Sequence, residues 1–414
     1  MTPYLEDLMT SSKNVLLLQG PIGYFFADLA AWLQQHGKTV SKVNFNGGDS
    51  YFYRRQDTVD FTGSVSDYAP FLRGVLAASQ IDTVVCFGDN RCYHQVAKKL
   101  CNELGLSFWA FEEGYLRPHY ITLEKGGVNA HSLLSKNPCF YLDKRDDLIE
   151  PIPPATVAPS FSQVSRMAMR YYWELTRRGR HFKSYRHHRE DGIAHYSVGW
   201  IRSLVRKIVY RGREARFTRE LKAGRLDPFF VIPLQVYNDS QVTVHSNYES
   251  IGDFIIETMK SFALHAPAAA SLVIKHHPMD RGFSHYGSLI KDWVRNLHLQ
   301  DRVHYVHDVP LPVLLRRSVG MVTINSTSGL SALIHHLPVK TMGKANYDMP
   351  GLTHQGTLDD FWSAPQQPNM ALFHAYRLYH LNKTQINGSF YGEVILPPKL
   401  RSASSLILLE PVMS

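Results

Sequence analysis

Two adjacent carboxylates end an apolar run in the first third of the chain. In the stretch FWAFEEGYLRPHYITLE, Glu112 and Glu113 follow four apolar residues and precede Gly114. This order is typical of a buried strand that reaches the edge of a sheet, where open α/β folds bind ligands. Because successive strand residues point to opposite faces, only one of the acids can face a given cleft. We expect that acid to be Glu113, since the chain can turn at Gly114, and we expect Glu112 to be structural.

Cationic and imidazole groups end an apolar run in the second half. The stretch LVIKHHPMDRG places Lys275, His276 and His277 at the end of a predicted strand, which Pro278 terminates. Such groups can hold a phosphate that must leave as an anion. A histidine that only caps the following turn is the alternative interpretation of this motif.

A cluster of polar side chains separates a predicted strand from a helix in TINSTSGLSALIHHLPV. Its members are Asn325, Ser326, Thr327, Ser328 and Gly329. Hydroxyl groups and unpaired N–H groups at a helix start can bind an anion without a metal ion. Ordinary capping of the helix is the alternative, but the cluster follows the histidine strand in the same predicted sheet, which favours anion binding.

Two further stretches place polar residues or glycines at predicted strand ends. In PLQVYNDSQVTVHS, Gln235 and Asp239 follow the first strand of the second half, so that Asp239 either faces the cleft or closes a surface turn. In LLLQGPIGYFF, Gln19, Gly20 and Gly23 form a loop in which a ligand can approach the backbone closely. This loop lacks the GxGxxG and GxxxxGK[ST] patterns, so we interpret it as a cleft loop and not as a nucleotide-binding loop.

The elements that must position these residues alternate between strands and helices. In the first half, strands VLLLQG, VSKVNF, TVVCFG and FWAF alternate with helices over 22–36, 71–78 and 94–104. In the second half, strands FFVIPLQV, SLVIKHHP, VHYVHDV, GMVTINS and VKTMG alternate with helices over 251–264, 289–297 and 330–336 and a short one before GMVTINS. The pattern predicts an α/β fold with two Rossmann-like domains that face a cleft, as in GT-B glycosyltransferases, although two-domain binding proteins share this outline.

Composition divides the chain into four regions. The Pro-rich stretch EPIPPATVAPS is predicted to leave the first half as a linker, because proline cannot continue a helix or a central strand. We therefore predict a Rossmann-like domain over 1–150, a linker and basic helical segment over 151–226, a second Rossmann-like domain over 227–368, and a C-terminal helix and tail over 369–414.

The positive charge of the chain is concentrated in the basic segment. The whole chain has a net charge of +9, whereas 160–226 alone contains 17 Lys or Arg against 5 Asp or Glu. The stretch GWIRSLVRKIVYRGREARF predicts an amphipathic helix with an apolar stripe. Contact with an anionic bilayer, an insertion whose apolar stripe packs on the protein, and nucleic-acid binding are the three interpretations. The residues predicted to contact a bilayer are Trp200, Arg202, Arg206, Lys207 and Arg211.

Composition also excludes several classes of protein. The four cysteines form no CxxC pair and no zinc-like cluster with histidine, so we predict no metal site, no disulfide framework and a reducing compartment. The first residues include acids where a signal peptide needs positive charge, and no apolar run is long enough to span a bilayer. We therefore expect a cytoplasmic protein.

Taken in order, these stretches resemble the bacterial capsule polysaccharide Kdo transferases, and most closely the KpsS/LipB group. The resemblance extends over KVNFNGGDSYFY and STSGLSALIHHLPVKTMGKANYDMPGLTHQG as well, and it covers nearly all of the chain except the basic segment and the tail. It implies a retaining GT-B enzyme that transfers β-Kdo from CMP-Kdo to a (lyso)phosphatidylglycerol and so starts the poly-Kdo linker of the capsule. The first domain would then serve the acceptor and the second the CMP-sugar, with the protein peripheral on the inner membrane.

The resemblance also implies roles for individual residues. Motif residues of the family fall on Glu112–Gly114, Asp239, His277–Pro278 and Ser326–Ser328. A retaining displacement can use Asp239 as the nucleophile and one acid of EEG as the acid and base, as in retaining glycosidases. The substrate-binding residues that we predict are Gln19, Gly20, Arg117, Gln235, Lys275, His276, Pro278 and the cluster from Asn325 to Gly329.

Charge on the substrates explains part of this set. CMP-Kdo has a single phosphate, so His277 and a helix start can stabilise the leaving group without Mg²⁺, and we predict no cofactor. Arg117 and Lys275 would hold the carboxylate that Kdo carries at its anomeric carbon.

Two other functions fit the same residues: transfer of another CMP-sugar, as in sialyltransferases, and a non-catalytic GT-B-like scaffold of capsule assembly. The partners implied are CMP-Kdo, a phosphatidylglycerol-type acceptor, the anionic inner membrane surface, a second Kdo transferase and the capsule export machinery, but not nucleic acid.

Overall fold

The computed structural model describes residues 2–157, 159–186 and 193–398, and their strands form two sheets. The first sheet contains β1 (Asn14–Leu17), β2 (Thr39–Asn44), β3 (Thr58–Asp60), β4 (Thr83–Phe87), β5 (Ser107–Glu113), β6 (Tyr120–Lys125) and β12 (Gln385–Asn387). The second sheet contains β7 (Phe229–Pro233), β8 (Ser271–Lys275), β9 (Val303–Val306), β10 (Gly320–Thr323) and β11 (Val339–Thr341).

Helices connect these strands and cover both sheets. Before the basic segment they are α1 (Pro3–Ser11), α2 (Phe25–Gln35), α3 (Gly47–Phe52), α4 (Tyr68–Ala78), α5 (Cys92–Leu104) and α6 (Pro138–Asp143). The basic segment forms α7 (Phe161–Arg177), α8 (Ile193–Arg213) and α9 (Ala215–Ala223). After it come α10 (Ser240–His245), α11 (Ile251–His265), α12 (Gly287–Asn296), α13 (Leu311–Leu315), α14 (Ser328–Ile334), α15 (Leu358–Ser363) and α16 (Met370–Lys383).

Both sheets have the same parallel core. The strand orders β3-β2-β1-β4-β5 and β9-β8-β7-β10-β11 consist of parallel pairs. The order reverses between β1 and β4 and between β7 and β10, and open α/β sheets bind ligands at such switch points, outside the carboxyl ends of the strands. The prediction of an α/β fold with two Rossmann-like units in a GT-B-like arrangement is confirmed.

Alternating side chains fill the two faces of the first sheet. Leu17 and Val85 pack with Phe25 of α2, whereas the neighbouring residues Leu16 and Val84 belong to the separate cluster that contains α4 and α5. This period of two is expected for a strand that is buried on both faces. It explains why the parallel strands were visible in the sequence as continuous apolar runs.

The edge of the first sheet was not predicted. Strand β6 runs antiparallel to β5, and β12 runs antiparallel to β6, with Gln385 opposite Thr122. Helix α16 packs Leu372 and Phe373 into the core of the second sheet before the chain returns to the first as β12. The C-terminal region thus connects both sheets.

Element boundaries differ from the sequence predictions by a few residues. The helix predicted from residue 22 begins at Phe25, because Gly23 adopts a φ of +125° that a helix cannot contain. The domain boundaries at 150, 226 and 368 stay predictions, and 399–414 of the predicted tail lies outside the described residues.

Candidate active site

The acidic motif ends β5 as predicted, but the strand continues through both acids. Glu112 and Glu113 pair with Thr122 and Ile121 of β6. The two carboxylate oxygens of Glu112 accept hydrogen bonds from the Glu113 N–H at 2.9 Å and from Asn129 Nδ2 at 3.2 Å. Burial, with a smaller contribution from the Glu113 charge, raises the pKa of Glu112 to about 7. A carboxyl group with such a pKa can give or take a proton near neutrality.

The second acid lies beside Arg117. Burial raises the pKa of Glu113, and the Arg117 guanidinium opposes this rise. Gly114 has no room for a side chain, since a Cβ there would lie 2.0 Å from the Tyr120 carbonyl oxygen. The Arg117 Nε donates to the Gly114 carbonyl at 3.3 Å, so the guanidinium is held next to the acidic motif.

The histidine motif of the second sheet lies within reach of the same arginine. Burial, Lys275 and Arg117 together lower the pKa of His277 to about 4. The charge of Arg117 therefore acts on both Glu113 and His277, which lie at strand ends of different sheets. That these two motifs face one cleft stays a prediction.

His277 has two distinct ring nitrogens. Its Nδ1 accepts a hydrogen bond from the Met279 N–H at 3.2 Å and so caps the turn at Pro278–Asp280. The ring is neutral, and its proton must then be on Nε2. The capping interpretation and the phosphate-binding interpretation are compatible, because each uses a different nitrogen.

The two residues before His277 point into a buried polar cluster. Lys275 Nζ donates to the carbonyl oxygens of His276 at 2.9 Å and His307 at 2.6 Å. Burial lowers the pKa of Lys275 to about 8. The His276 Nδ1 lies 2.7 Å from the Tyr305 hydroxyl. These contacts hold the β8 and β9 ends together, and the assignment of both residues to substrate binding stays a prediction.

Gln235 joins the polar ends of β7 and β10. Its Nε2 donates to Asp239 Oδ2 at 3.1 Å and to Asn325 Oδ1 at 3.0 Å, while its Oε1 accepts from the Asn325 N–H at 3.3 Å. Because β7 and β10 flank the switch point of the second sheet, this amide holds Asp239 where a ligand of that sheet is expected.

The hydroxyl cluster is ordered around Ser326. Its Oγ accepts from both the N–H and the hydroxyl of Ser328, at 3.2 and 2.8 Å, and its carbonyl accepts from the Tyr347 hydroxyl at 2.5 Å. A Cβ at Gly329 would lie 2.2 Å from that tyrosine oxygen, so only glycine fits. Thr327, which precedes α14, makes no side-chain cap bond to the helix.

The predicted cleft loop of the first sheet packs against the basic segment. Gln19 is buried, and its Nε2 donates to the hydroxyls of Tyr171 at 3.2 Å and Tyr185 at 2.9 Å. A Cβ at Gly20 would lie 2.9 Å from the Phe26 ring. In this structure the loop therefore positions α7, and its predicted role in substrate binding stays a prediction.

Helix α8 contacts the second sheet unit through its small and polar residues. A Cβ at Gly199 would lie 2.2 Å from the Phe283 ring, so the helix approaches closely there. The Tyr210 ring stacks on His307 with 3.7 Å between ring centroids, and the Glu214 carboxylate accepts from the His307 and Asp308 N–H groups at 2.6 and 2.8 Å.

The apolar stripe of α8 faces outward. Its residues are between 42% and 69% exposed, and they are Val198, Ile201, Leu204, Val205, Ile208 and Val209. Trp200, Arg202, Lys207 and Arg211 are exposed as well, whereas Arg206 donates to the Arg281 carbonyl at 2.8 Å. These exposures contradict the interpretation in which the stripe packs on the protein, except at Trp200, whose ring meets Phe283 edge to face at 6.3 Å.

Sequence reasoning missed a polar cluster after β4. Asp89 is buried and contacts His131 Nδ1 at 2.8 Å and Lys98 Nζ at 3.3 Å. The His131 ring meets His245 of α10 edge to face at 4.5 Å, and Asn90 contacts the Nε2 of His245 at 3.1 Å. The cluster thus connects the first sheet to the helix that follows Asp239. The only sequence signal was Asp89-Asn90 directly after the predicted strand TVVCFG.

The described parts of the chain contain neither a metal-binding cluster nor a membrane-spanning helix. Among those residues, no group of three His, Cys, Asp or Glu side chains has the geometry to hold a metal ion. None of the helices in the same residues combines the length and apolarity that crossing a bilayer requires.

Two Rossmann-like sheets with polar residues at their switch points define a GT-B-like α/β protein. A family model described as "Capsule polysaccharide biosynthesis protein" matches residues 82–391, and the chain belongs to this family. The chain is 50% identical over 406 residues to the capsule polysaccharide modification protein LipB of Neisseria meningitidis serogroup B, covering 97% of each chain. It is 43% identical over 385 residues to the capsule polysaccharide export protein KpsS of Escherichia coli, covering 93% of this chain and 98% of that protein. The resemblance to the KpsS/LipB group is confirmed.

Solved structures were compared as well. The β-Kdo 2,7-transferase of Thermosulfurimonas dismutans KpsC aligns with a TM-score of 0.40 and 15% identity, over 88% of this chain and 99% of that one. The β-Kdo 2,4-transferase of the same protein aligns with a TM-score of 0.36 and 15% identity, over 86% and 89%.

Proposed function

We propose that this chain is a retaining β-Kdo transferase that moves Kdo from CMP-Kdo to a (lyso)phosphatidylglycerol and so starts the poly-Kdo linker of a capsular polysaccharide. Membership in a capsule biosynthesis family supports the pathway. The observation that carries the proposal is the Gln235 amide, which bonds to both Asp239 and Asn325 and so joins the proposed nucleophile to the start of the proposed phosphate-binding cluster.

The donor phosphate would bind at the polar strand ends of the second sheet. The Nε2–H of His277 and the hydroxyl of Ser326, which accepts from the Ser328 hydroxyl, are donors that can stabilise a single leaving phosphate without a metal ion. A neutral histidine contributes a hydrogen bond that strengthens as charge grows on the departing CMP. Arg117 is exposed and would bind the Kdo carboxylate, while Lys275 would add positive charge from its buried position.

Retention of the β configuration would follow from two displacements. In the first, an Asp239 oxygen bonds to the anomeric carbon as the bond to the CMP phosphate breaks. In the second, the acceptor hydroxyl gives its proton to a glutamate of the EEG motif while its oxygen displaces Asp239. Glu113, beside Arg117, is the sequence-based choice for this glutamate, but the pKa of about 7 at Glu112 suits the same task. Comparing the two Gln variants decides between them.

A lipid acceptor would be reached from the surface of an anionic inner membrane. The outward apolar stripe of α8 fits the acyl boundary, and the basic residues along the helix fit lipid phosphates, with Trp200 at headgroup level. We therefore expect a cytoplasmic protein that binds the membrane peripherally. A second Kdo transferase and the capsule export machinery are the protein partners that this location suggests.

One assay separates this proposal from its alternatives. The protein is incubated with fluorescent phosphatidylglycerol and either CMP-Kdo or CMP-sialic acid, and products are separated by chromatography. We expect product from CMP-Kdo only. Product from CMP-sialic acid only would indicate the sialyltransferase-like alternative, and no product from either donor would indicate a scaffold.

A further inference from the structure

The Asp89 cluster lies at a position where ligands bind but has no role in the displacement mechanism. Asp89 follows β4, which flanks the switch point of the first sheet. The equivalent position of the second sheet holds Asp239 and Asn325. A buried polar cluster at the first switch point therefore needs its own explanation.

The cluster is built to orient one imidazole. His131 Nδ1 donates to the Asp89 carboxylate, so Nε2 points away from Asp89, and 34% of the His131 side chain is exposed. Nε2 is an acceptor in the neutral ring and becomes a donor to an oxyanion in the imidazolium, in which both nitrogens carry a proton. Gly127 has a φ of +151°, and a Cβ there would lie 2.8 Å from Asp89 Oδ2 and 2.7 Å from Lys98 Nζ. Only glycine at this position allows the carboxylate, the ammonium group and the imidazole to meet.

Positive charge surrounds this imidazole from both sheets. Lys98 belongs to α5, and Lys344 follows β11 and donates its N–H to the His245 carbonyl at 2.8 Å. Burial, with His131, Lys344 and Lys98 contributing, lowers the pKa of His245 to about 4, while Asp89 opposes the shift. Lys98 balances the Asp89 carboxylate, and Lys344 adds a positive charge that an anionic ligand can neutralise.

The cluster is adjacent to the proposed acid–base group. Asn129, two residues before His131 on the same turn, donates to Glu112 at 3.2 Å. When the hydroxyl of a phosphatidylglycerol acceptor reaches the EEG motif, the phosphodiester of the same headgroup would therefore lie close to His131.

We propose that His131, as the imidazolium, and Lys344 form an oxyanion-binding site for the phosphodiester of the acceptor. This inference rests on the proposed function, because it names the acceptor group that the cleft would recognise. The phosphate of CMP is the other possible source of an oxyanion, and the test separates the two.

The test measures binding by titration calorimetry with two soluble probes, glycerophosphoglycerol and CMP. His131→Gln keeps an N–H donor for Asp89, and Lys344→Gln changes an exposed side chain. Matched controls are His298→Asn and Lys291→Gln, which are exposed and lie in or after α12. We expect each cleft variant to weaken glycerophosphoglycerol binding roughly tenfold or more and CMP binding by less than about twofold, since charged hydrogen bonds are lost from one ligand only. The controls should change neither.

Three results would overturn the site. They are unchanged glycerophosphoglycerol binding in both variants, no binding to the wild-type protein, and an equal loss for CMP, which would assign the oxyanion to the donor. Thermal unfolding of each variant is measured alongside, and Lys344→Gln carries the test if His131→Gln unfolds. A protein that binds the probe through His131 but transfers no Kdo would refute the proposed function and keep the site.

Discussion

Replacing Ile201 and Ile208 by serine tests whether the outward stripe of α8 binds a bilayer. Both side chains are more than two-thirds exposed, at 68% and 69%. Moving an exposed isoleucine from water into an apolar phase contributes about 1.5–3 kcal/mol. The double variant should therefore lose about 3–6 kcal/mol of vesicle binding, a weakening of roughly 10²- to 10⁴-fold.

The assay is sedimentation with anionic phosphatidylglycerol vesicles. Leu264→Ser is a matched control, because this leucine of α11 is 78% exposed and lies outside the stripe. Since the stripe is exposed, the free energy of unfolding of the double variant should change by less than about 0.5 kcal/mol per substitution. Unchanged vesicle binding of the double variant would refute the stripe as a membrane contact. A large loss in its free energy of unfolding would refute the outward orientation of the stripe.

The basic residues beside the stripe provide a second arm of the same experiment. Changing Arg202, Lys207 and Arg211 to Glu should release the protein from anionic vesicles, because each basic residue near such a surface contributes about 1 kcal/mol. High salt should act in the same direction by screening. Arg219→Glu, on α9, is the control with the same change of charge. Vesicle binding that changes neither with these substitutions nor with salt would contradict this account.

Three further predictions concern the cleft and the core. Chelation with EDTA should leave the rate of Kdo transfer unchanged, because the proposed contacts to the phosphate come from side chains and not from a metal ion. A loss of product in the chromatographic assay that added Mg²⁺ restores would contradict this. His277→Ala should lower kcat by about 10²-fold or more and change the acceptor KM less, because the Nε2–H of His277 stabilises charge that develops in the transition state. Steady-state kinetics measures both constants. A kcat equal to that of the wild-type protein would mean that His277 only caps the turn. Burial raises the pKa of Glu124 from 4.5 to about 7, so the free energy of unfolding of the wild-type protein should fall as pH rises between these values. Because Glu112 contributes to the same fall, Glu124→Gln should make the fall smaller by about 3 kcal/mol and not remove it. Urea denaturation at several pH values measures this, and the same fall in both proteins would contradict it.

The parallel strands were predictable because their burial on both faces leaves continuous apolar runs. Strand β6 was missed, since its buried Glu124 and polar neighbours break the pattern, and β12 is only a three-residue edge strand. Such a strand is defined by its partner and not by its own composition.

The orientation of α8 could not be predicted from its apolar stripe. The helix packs through Gly199 and Ser203, which allow close approach to Gly282 and Phe283. A sequence pattern identifies two faces of a helix, but small residues on the polar face can make that face the buried one.

The candidate site was predictable where polar residues follow an apolar strand, as at Glu113 and His277. The Asp89 cluster was not, because His131 and His245 come from separate loops and helices and meet only in the folded chain. Likewise, no pattern in the sequence indicates that Gln235 bonds to both Asp239 and Asn325.

Covalent capture of the sugar tests the central claim of a Kdo transfer through two displacements. Glu112→Gln, Glu113→Gln and Asp239→Asn are incubated with CMP-Kdo and acceptor and examined by intact-protein mass spectrometry. The account predicts that the Gln variant of the working glutamate cleaves the donor, stalls transfer and accumulates one Kdo on Asp239, and that Asp239→Asn forms no adduct. If none of the three substitutions slows transfer by more than about tenfold, roughly 1.4 kcal/mol of barrier, the carboxylate mechanism is contradicted.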